Sequence, residues 1–221
     1  MQFTCARCPY DMAMRICRNH DGKAPPNCPT LAKPDLIRKT LDEYDQPERR
    51  EFARIASIQE GEGYADRELG YASVKPIKPR ILEIIEFAWK MDYQRLGLAF
   101  CAGLAHEAKV VEKLLSHKNF EVVSVICKAG RIPKEKIGIQ DHEKIAIGKF
   151  EPMCNPILQA LIMNDAKTDF NIVLGLCVGH DSLFFKYAEA PCTVLAVKDR
   201  VLGHNPLAAI YTIDSYYRSL K

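Results

Sequence analysis

Four short runs of apolar residues, separated by helical patterns, occupy the second half of the chain. The runs are compact enough to be buried strands and cover residues 95–100, 121–126, 170–176 and 193–197. The helical patterns between them cover residues 106–117, 155–164 and 181–189. Buried strands that alternate with helices are typical of a mostly parallel sheet with right-handed crossovers. We therefore predict an α/β fold of the Rossmann-like, three-layer kind.

A helical stretch precedes the predicted sheet. Residues 35–41 start with a capping aspartate and carry apolar residues at helical spacing. Residues 48–69 continue with the same spacing and predict a second helix. Residues 80–90 follow Pro79 and carry one apolar stripe, which predicts a third helix. Residues 207–217 fit either a closing helix or an edge strand. The charged segment 130–150 has few strand signals and is expected to be an insertion or a lid over the sheet edge.

The first 34 residues differ from the rest, because they are rich in cysteine and proline and show no sustained hydrophobic period. Such a segment cannot build a core of its own. We therefore divide the chain into a cysteine-rich, zinc-binding segment over residues 1–34 and a helical lead-in with an α/β domain over residues 35–221.

Four cysteines within that first segment have the spacing of metal ligands: Cys5, Cys8, Cys17 and Cys28. Four thiolates around one ion are the usual structural zinc site, and binding of the metal would supply the folding energy that the segment lacks. Proline follows Cys8 and Cys28, as it also does near iron–sulfur clusters, so a cluster is the alternative cofactor. His20 could replace one cysteine as a ligand.

Composition and charge limit the classes of function. Acidic and basic residues are mixed along the chain and leave a net charge of +3, which does not indicate a nucleic-acid surface. No apolar run approaches the ~18 residues that a membrane span needs. The nine cysteines come without a secretory leader, so we expect a soluble protein of the reducing cytoplasm.

A second group of cysteines lies at the predicted strand ends. Cys101, Cys127 and Cys177 each close an apolar run, and Cys154 directly precedes the helix of residues 155–164. The carboxyl ends of parallel strands share one edge of the sheet, which is where such folds bind ligands. We therefore predict a shared site that holds a second metal, an iron–sulfur cluster or a reactive thiolate. Cys192 precedes a strand instead and is expected to pack at the opposite edge.

The segment Gly175-Leu-Cys177-Val-Gly179 matches the turn that lifts a nucleophile above a parallel sheet. This makes Cys177 a candidate nucleophile and His180 a candidate proton carrier or metal ligand. Asp199 and His204 follow in the chain order of a hydrolase triad, so hydrolase chemistry is one alternative. The other is that the glycines merely allow a tight turn from strand to helix.

These residues resemble an uncharacterised family found in bacteria and archaea, domain of unknown function 1847, whose members are expected to bind metal. The resemblance rests on the four N-terminal cysteines together with the segments 153–156, 175–181, 197–202 and 204–206. It covers nearly the whole chain. It implies metal binding with an unknown activity, and it leaves open the substrate, the small-molecule ligand, the oligomeric state and whether the protein is an enzyme.

Overall fold

The computed structural model describes residues 3–221. The chain divides into two compact units, Met1–Glu62 and Gly63–Lys221. The predicted functional boundary after residue 34 stays a prediction.

The first unit consists of turns followed by helices. Two 3-10 turns, Cys5–Arg7 and Met12–Met14, come first. Three helices then follow: α1 (Pro29–Ala32), α2 (Pro34–Tyr44) and α3 (Pro47–Glu62). All three begin at a proline, whose fixed φ and missing N–H suit the first helical turn.

The second unit contains two sheets and five helices among the described residues. A two-stranded antiparallel ribbon pairs β1 (Tyr64–Ala65) with β2 (Lys75–Pro76). The main sheet contains β3 (Arg95–Phe100), β4 (Glu121–Ile126), β5 (Phe170–Leu174) and β6 (Cys192–Ala196). The helices are α4 (Arg80–Lys90), α5 (Ala105–His117), α6 (Pro156–Asp165), α7 (His180–Tyr187) and α8 (Leu207–Tyr211).

The main sheet is entirely parallel and has the strand order β4-β3-β5-β6. The chain first moves from β3 outward to β4 and then crosses back to the other side of β3. The connections after β3 and β5 therefore diverge, and the crevice between the carboxyl ends of these strands is the switch point at which doubly wound folds bind ligands.

Apolar side chains alternate along the strands and fill both faces of the sheet. On one face, Ala99 and Val125 pack in a cluster with Ala160 and Met163 of α6 and Phe184 of α7. Cys101 and Cys127 belong to the same cluster, because each lies two residues beyond a member of the strand that carries it. The α6 and α7 side therefore holds the strand-end thiols.

The α/β prediction is confirmed, since the four predicted strands form a parallel sheet with helices between them. The predicted helix over 48–69 is too long, because α3 ends at Glu62, where Gly61 and Gly63 disfavour helix. Residues 207–217 form α8 and turns, so the edge-strand alternative is wrong. Among the described residues, no helix has the length and apolar character needed to cross a bilayer.

The segment between β4 and α6 is an insertion with its own ion-pair network. It contains two 3-10 turns, Lys134–Ile137 and Asp141–Glu143. The Glu151 carboxylate accepts the backbone N–H groups of Ile145 and Ala146 at 2.9 and 3.0 Å and pairs with Lys134 Nζ at 2.8 Å. These contacts hold a segment that has almost no regular structure. Its role as a lid stays a prediction.

Candidate thiol site

The ladder between β3 and β4 brings Cys101 beside Cys127. Phe100 is the register partner of Ile126, and the N–H of Cys127 donates to the Phe100 carbonyl at 2.8 Å, so the parallel pairing continues one step past the strands. Residues paired in this way have side chains on the same face, about 5 Å apart. Both thiols are buried, with Cys127 only 2% exposed.

The two ends of the insertion between β4 and α6 pair with each other and bring Cys154 close to the end of β4. An isolated bridge pairs Pro133 with Pro152, and the N–H of Met153 donates to Ile132 at 2.8 Å. The N–H of Asn155 then donates to the Cys127 carbonyl at 2.7 Å. Cys154 lies between these last two anchors. The inserted segment therefore returns to the end of β4, as expected for a cysteine placed just before α6.

Cys127 lies between the other two thiols and contacts both. Its S–H group hydrogen-bonds with Cys101 and with Cys154, and because its protonated form makes these bonds, the pKa of Cys127 is raised. The same bonds stabilise the neighbouring thiolates. They lower the pKa of Cys101 to about 5 and that of Cys154 to about 6. Cys101 and Cys154 therefore ionise more readily than the central Cys127.

A cation lies beside each of the two thiolates. Lys198 contacts Cys101, and the backbone N–H of Gly103 adds a second hydrogen bond to that sulfur. Lys128 contacts Cys154, and the charge of His180 adds to its effect. Lys128 Nζ also donates to the Pro152 carbonyl at 2.6 Å, which holds the ammonium group against the returning chain.

Two glycines lie against the residues that surround Cys101, Gly103 beside Lys198 and Gly175 beside Leu104. A Cβ atom on Gly103 would lie 3.0 Å from Lys198 Nζ. Gly175 has a φ of +67°, and a Cβ atom there would lie 2.1 Å from Leu104 Cδ1 and 3.9 Å from Lys198 Cδ. Larger residues at these positions would displace the neighbours of Cys101. The glycine at the start of the nucleophile-like turn thus leaves space for the Leu104 side chain.

Cys177 occupies the predicted turn from strand to helix, between the end of β5 and the start of α7. The two flanking glycines, Gly175 and Gly179, both have positive φ, as such a turn requires. The Cys177 sulfur accepts a hydrogen bond from Arg200 Nη2 at 3.0 Å. The structure therefore joins Cys101, Cys127 and Cys154 in one contact and pairs Cys177 with arginine instead.

The hydrogen bonds of Asp199 and His204 do not form the predicted hydrolase triad. His204 Nδ1 accepts the backbone N–H of Asp199 at 3.1 Å. The Asp199 carboxylate accepts the N–H groups of Val201 and Leu202 at 3.0 and 2.8 Å. These contacts shape the loop after β6 and leave Cys177 with Arg200 as its partner.

His180 begins α7 and is only partly exposed. Its Nδ1 atom is buried and has no hydrogen-bond partner among the described residues. The predicted position at the sheet edge is supported by the electrostatic contact with Cys154. Its role as proton carrier or ligand stays a prediction.

The four N-terminal cysteines line one cavity of the first unit, with a volume of about 120 Å³. Cys5 and Cys17 are exposed, whereas Cys8 and Cys28 are partly buried. Hydrogen bonds from the Thr30 side chain, and from the backbone N–H groups of Thr30 and Leu31, lower the pKa of Cys28.

Across residues 3–221, no group of three or more His, Cys, Asp and Glu side chains is arranged so that it could hold a metal ion. A formed four-cysteine module is therefore not seen, and zinc or an iron–sulfur cluster at Cys5, Cys8, Cys17 and Cys28 remains a proposal. The same holds for a metal or cluster at the strand-end cysteines.

Cys192 is the remaining cysteine, and it lies at the start of β6. Its thiol donates to the Ala190 carbonyl at 3.3 Å, and burial raises its pKa. This placement agrees with the expected packing role at the amino end of the strand. Cys192 is therefore a natural control residue for the thiols at the other edge.

A family model described as "Protein of unknown function (DUF1847)" matches residues 28–195, which is most of the chain. The chain belongs to the DUF1847 family. An uncharacterised protein of Methanocaldococcus jannaschii is 45% identical to this DUF1847 chain over 185 residues, covering 84% of the chain and 87% of the relative. No solved structure matches it significantly.

The family match includes the three contacting thiols of this DUF1847 chain, together with Lys128 and His180. Sequence reasoning found the cysteines and the histidine but not Lys128, which directly follows Cys127. A basic residue next to a predicted strand-end cysteine was the available signal. Lys198 lies in the loop after β6, and nothing in the sequence indicated its contact with Cys101.

Proposed function

We propose that this DUF1847 protein is a thiol-dependent redox protein that exchanges two electrons with a disulfide substrate. One observation carries the proposal: Cys127, as a thiol, contacts both Cys101 and Cys154, each of which has a lysine beside it. A thiolate next to a thiol, both held by the fold, is the arrangement that thiol–disulfide exchange needs.

Cys154 is the proposed attacking group, because it is more exposed than Cys101 and Cys127. Its thiolate attacks one sulfur of the substrate disulfide, forms a mixed disulfide and releases the first substrate thiolate. The Cys127 sulfur then attacks Cys154 Sγ. The second substrate thiolate leaves and takes the Cys127 proton. The protein has lost two electrons to form Cys127–Cys154, and the substrate disulfide has become one thiolate and one thiol.

The neighbouring cations support this assignment. Lys128 and His180 favour the Cys154 thiolate, which raises the fraction of the reactive form at neutral pH. The Cys127 thiol cannot be reached easily from solvent, because it is 2% exposed. It therefore suits the second step, in which the sulfur under attack is already within the protein.

The test is reaction of the fully reduced protein with oxidised glutathione, followed by mass spectrometry of the acid-quenched products. We expect an intramolecular disulfide that contains Cys127. Cys154→Ser should slow its formation at least tenfold, whereas Cys192→Ser should not change it. A reduced protein that forms no intramolecular disulfide, or a Cys154→Ser variant as fast as the parent, would refute the proposal.

We also propose a structural zinc ion in the first unit, supported by the cavity that all four N-terminal cysteines line. Cys5, Cys8, Cys17 and Cys28 would hold the ion. Four thiolates close its coordination, so zinc there would stabilise the segment without taking part in a reaction. An iron–sulfur cluster is the alternative for the same four thiolates.

Metal analysis of anaerobically prepared protein tests this second proposal. About one zinc per chain is expected, with loss of the metal in Cys5→Ser and Cys8→Ser but not in Cys192→Ser. Iron with acid-labile sulfide in its place would favour the cluster. Protein free of both would contradict a metal centre in the first unit.

The same preparation checks the strand-end site. A metal or cluster that is lost in Cys127→Ala but kept in Cys5→Ser would mean that these thiols are ligands rather than redox groups. The cytoplasm, predicted from the number of cysteines, would keep them reduced between turnovers.

A further inference from the structure

Cys101 has no part in the exchange described above, yet the fold prepares it as a nucleophile. Its sulfur contacts the Cys127 thiol, and the residue is only 9% exposed. Lys198 and the Gly103 N–H stabilise its charged form. Gly103 also leaves the room in which the Lys198 ammonium group lies. A buried cysteine that served only packing would not need these contacts.

The position of Cys127 gives this thiolate a target. Once Cys127 is bonded to Cys154, its sulfur is one atom of a disulfide that still lies beside Cys101. Cys101 and Cys127 follow register partners on adjacent parallel strands. Their Cα atoms are expected about 5 Å apart, which lies within the range that disulfides span.

We propose that Cys101 then displaces Cys154 from the disulfide, so that the oxidised protein contains a Cys101–Cys127 bond and a free Cys154. This inference rests on the proposed redox function and adds an internal relay to it. The Cys101 thiolate attacks Cys127 Sγ, the new Cys101–Cys127 bond forms, the Cys127–Cys154 bond breaks, and Cys154 leaves as a thiolate. One disulfide replaces another, so no electron, proton or further reactant is needed.

Two physical effects favour the transfer. The negative charge moves from the buried Cys101 to the more exposed Cys154, which regains hydration. The new disulfide joins two ordered strand ends, whereas the first one joins a strand end to the returning insertion. The relay therefore leaves the disulfide in the core and leaves Cys154 able to react with a second molecule.

A time course of disulfide mapping tests the relay. Reduced wild-type protein is mixed with one equivalent of oxidised glutathione, quenched with acid at intervals, alkylated and digested. We expect Cys127–Cys154 first, then its replacement by Cys101–Cys127 with alkylated Cys154. Cys101→Ser should stop at Cys127–Cys154. Cys127→Ala should accumulate the glutathione mixed disulfide at Cys154, and Cys192→Ser should follow the wild type.

The outcomes separate the relay from the function on which it rests. A wild-type product that stays as Cys127–Cys154 would refute the relay and leave the exchange function intact. Formation of Cys101–Cys127 at an unchanged rate in Cys154→Ser would also refute it, because Cys101 would then react without the first step. Absence of any intramolecular disulfide would refute both. The wild-type time course decides between these even if a variant fails to fold.

Discussion

At the scale of single residues, thiols of the same type acquire different chemistry from their surroundings. Cys101 and Cys154 have a lowered pKa, because each shares a hydrogen bond with Cys127 and lies near a lysine. The pKa of Cys192 is raised instead, because burial disfavours its charged form. The hydrogen bond from Cys127 and the nearby lysine thus distinguish Cys101 and Cys154 from a packing cysteine.

This difference predicts the pH dependence of alkylation. The pKa of Cys154 is about 6, so its thiolate dominates at neutral pH and is lost only as the pH falls through about 6. An ordinary thiol loses its reactivity already below about 8.5. The iodoacetamide reaction of Cys154, followed by peptide mass spectrometry, should therefore reach half its maximal rate near pH 6.

Two variants sharpen the alkylation experiment. Cys127→Ala removes the largest cause of the lowered pKa of Cys154 and should move the midpoint well upward, and Lys128→Met should move it less. Cys192→Ser should leave it unchanged. A wild-type midpoint near 8.5 would show that Cys154 is an ordinary thiol.

Residue types and their order along the chain were enough to predict part of this site. Cys101, Cys127 and Cys154 were placed at one edge because buried runs end at the first two and a helix begins after the third. The separation of Cys177 from them was not predictable. It depends on the hydrogen bond from Arg200 to the Cys177 sulfur. No local sequence pattern predicts such a contact between distant segments.

At the scale of elements, the insertion between β4 and α6 depends on one carboxylate. Glu151 accepts two backbone N–H groups and pairs with Lys134, and these contacts lower its pKa from 4.5 to about 2, with Lys134 as the largest cause. The stabilisation is therefore fully present above pH 4.5 and is lost as the pH falls toward 2.

Hydrogen exchange can test the role of Glu151. Glu151→Gln should increase the exchange of the Ile145 and Ala146 amides at neutral pH, because the neutral side chain is a weaker acceptor and loses the lysine. Glu143→Gln, in an exposed turn of the same insertion, is the matched comparison and should have less effect on these amides. Equal protection in Glu151→Gln and wild type would contradict the assignment.

The strands of the main sheet were well predicted because their apolar runs are short and continuous, whereas the insertion was not. Its two turns are held by ion pairs between residues up to 17 positions apart, such as Lys134 and Glu151. Hydrophobic periodicity carries no information about such contacts. The same reasoning explains why β1 and β2, with two residues each, were missed.

Strand β3 offers a packing test at the same scale. Gly97 lies in the middle of the strand, where a Cβ atom would come within 2.1 Å of Asn171 Oδ1 and 2.7 Å of Met163 Sδ. Gly97→Ala should therefore lower the free energy of unfolding by about 1–3 kcal/mol, as overpacked cores do. Chemical denaturation measures this, and an unchanged midpoint would show that the sheet and α6 are not packed this closely.

At the scale of the whole molecule, a disulfide between Cys101 and Cys127 would couple the redox state to the stability of the sheet. It would close the loop that contains α5 and would restrict the unfolded chain. For a loop of this length the expected stabilisation is about 3–4 kcal/mol, provided that the bond forms without strain. The ends of β3 and β4 are already adjacent through their register, which favours a bond without rearrangement.

Thermal unfolding of oxidised and reduced protein tests this coupling. The oxidised form should melt several degrees higher, and the difference should disappear in Cys127→Ala, which can form neither disulfide. In Cys101→Ser, oxidation should change the melting temperature by a different amount than in the wild type. It would then join Cys127 to Cys154 and close another loop. Equal melting temperatures for oxidised and reduced wild-type protein would mean that oxidation does not join the two strands. The site would then act at the edge of the sheet without altering the stability of its core.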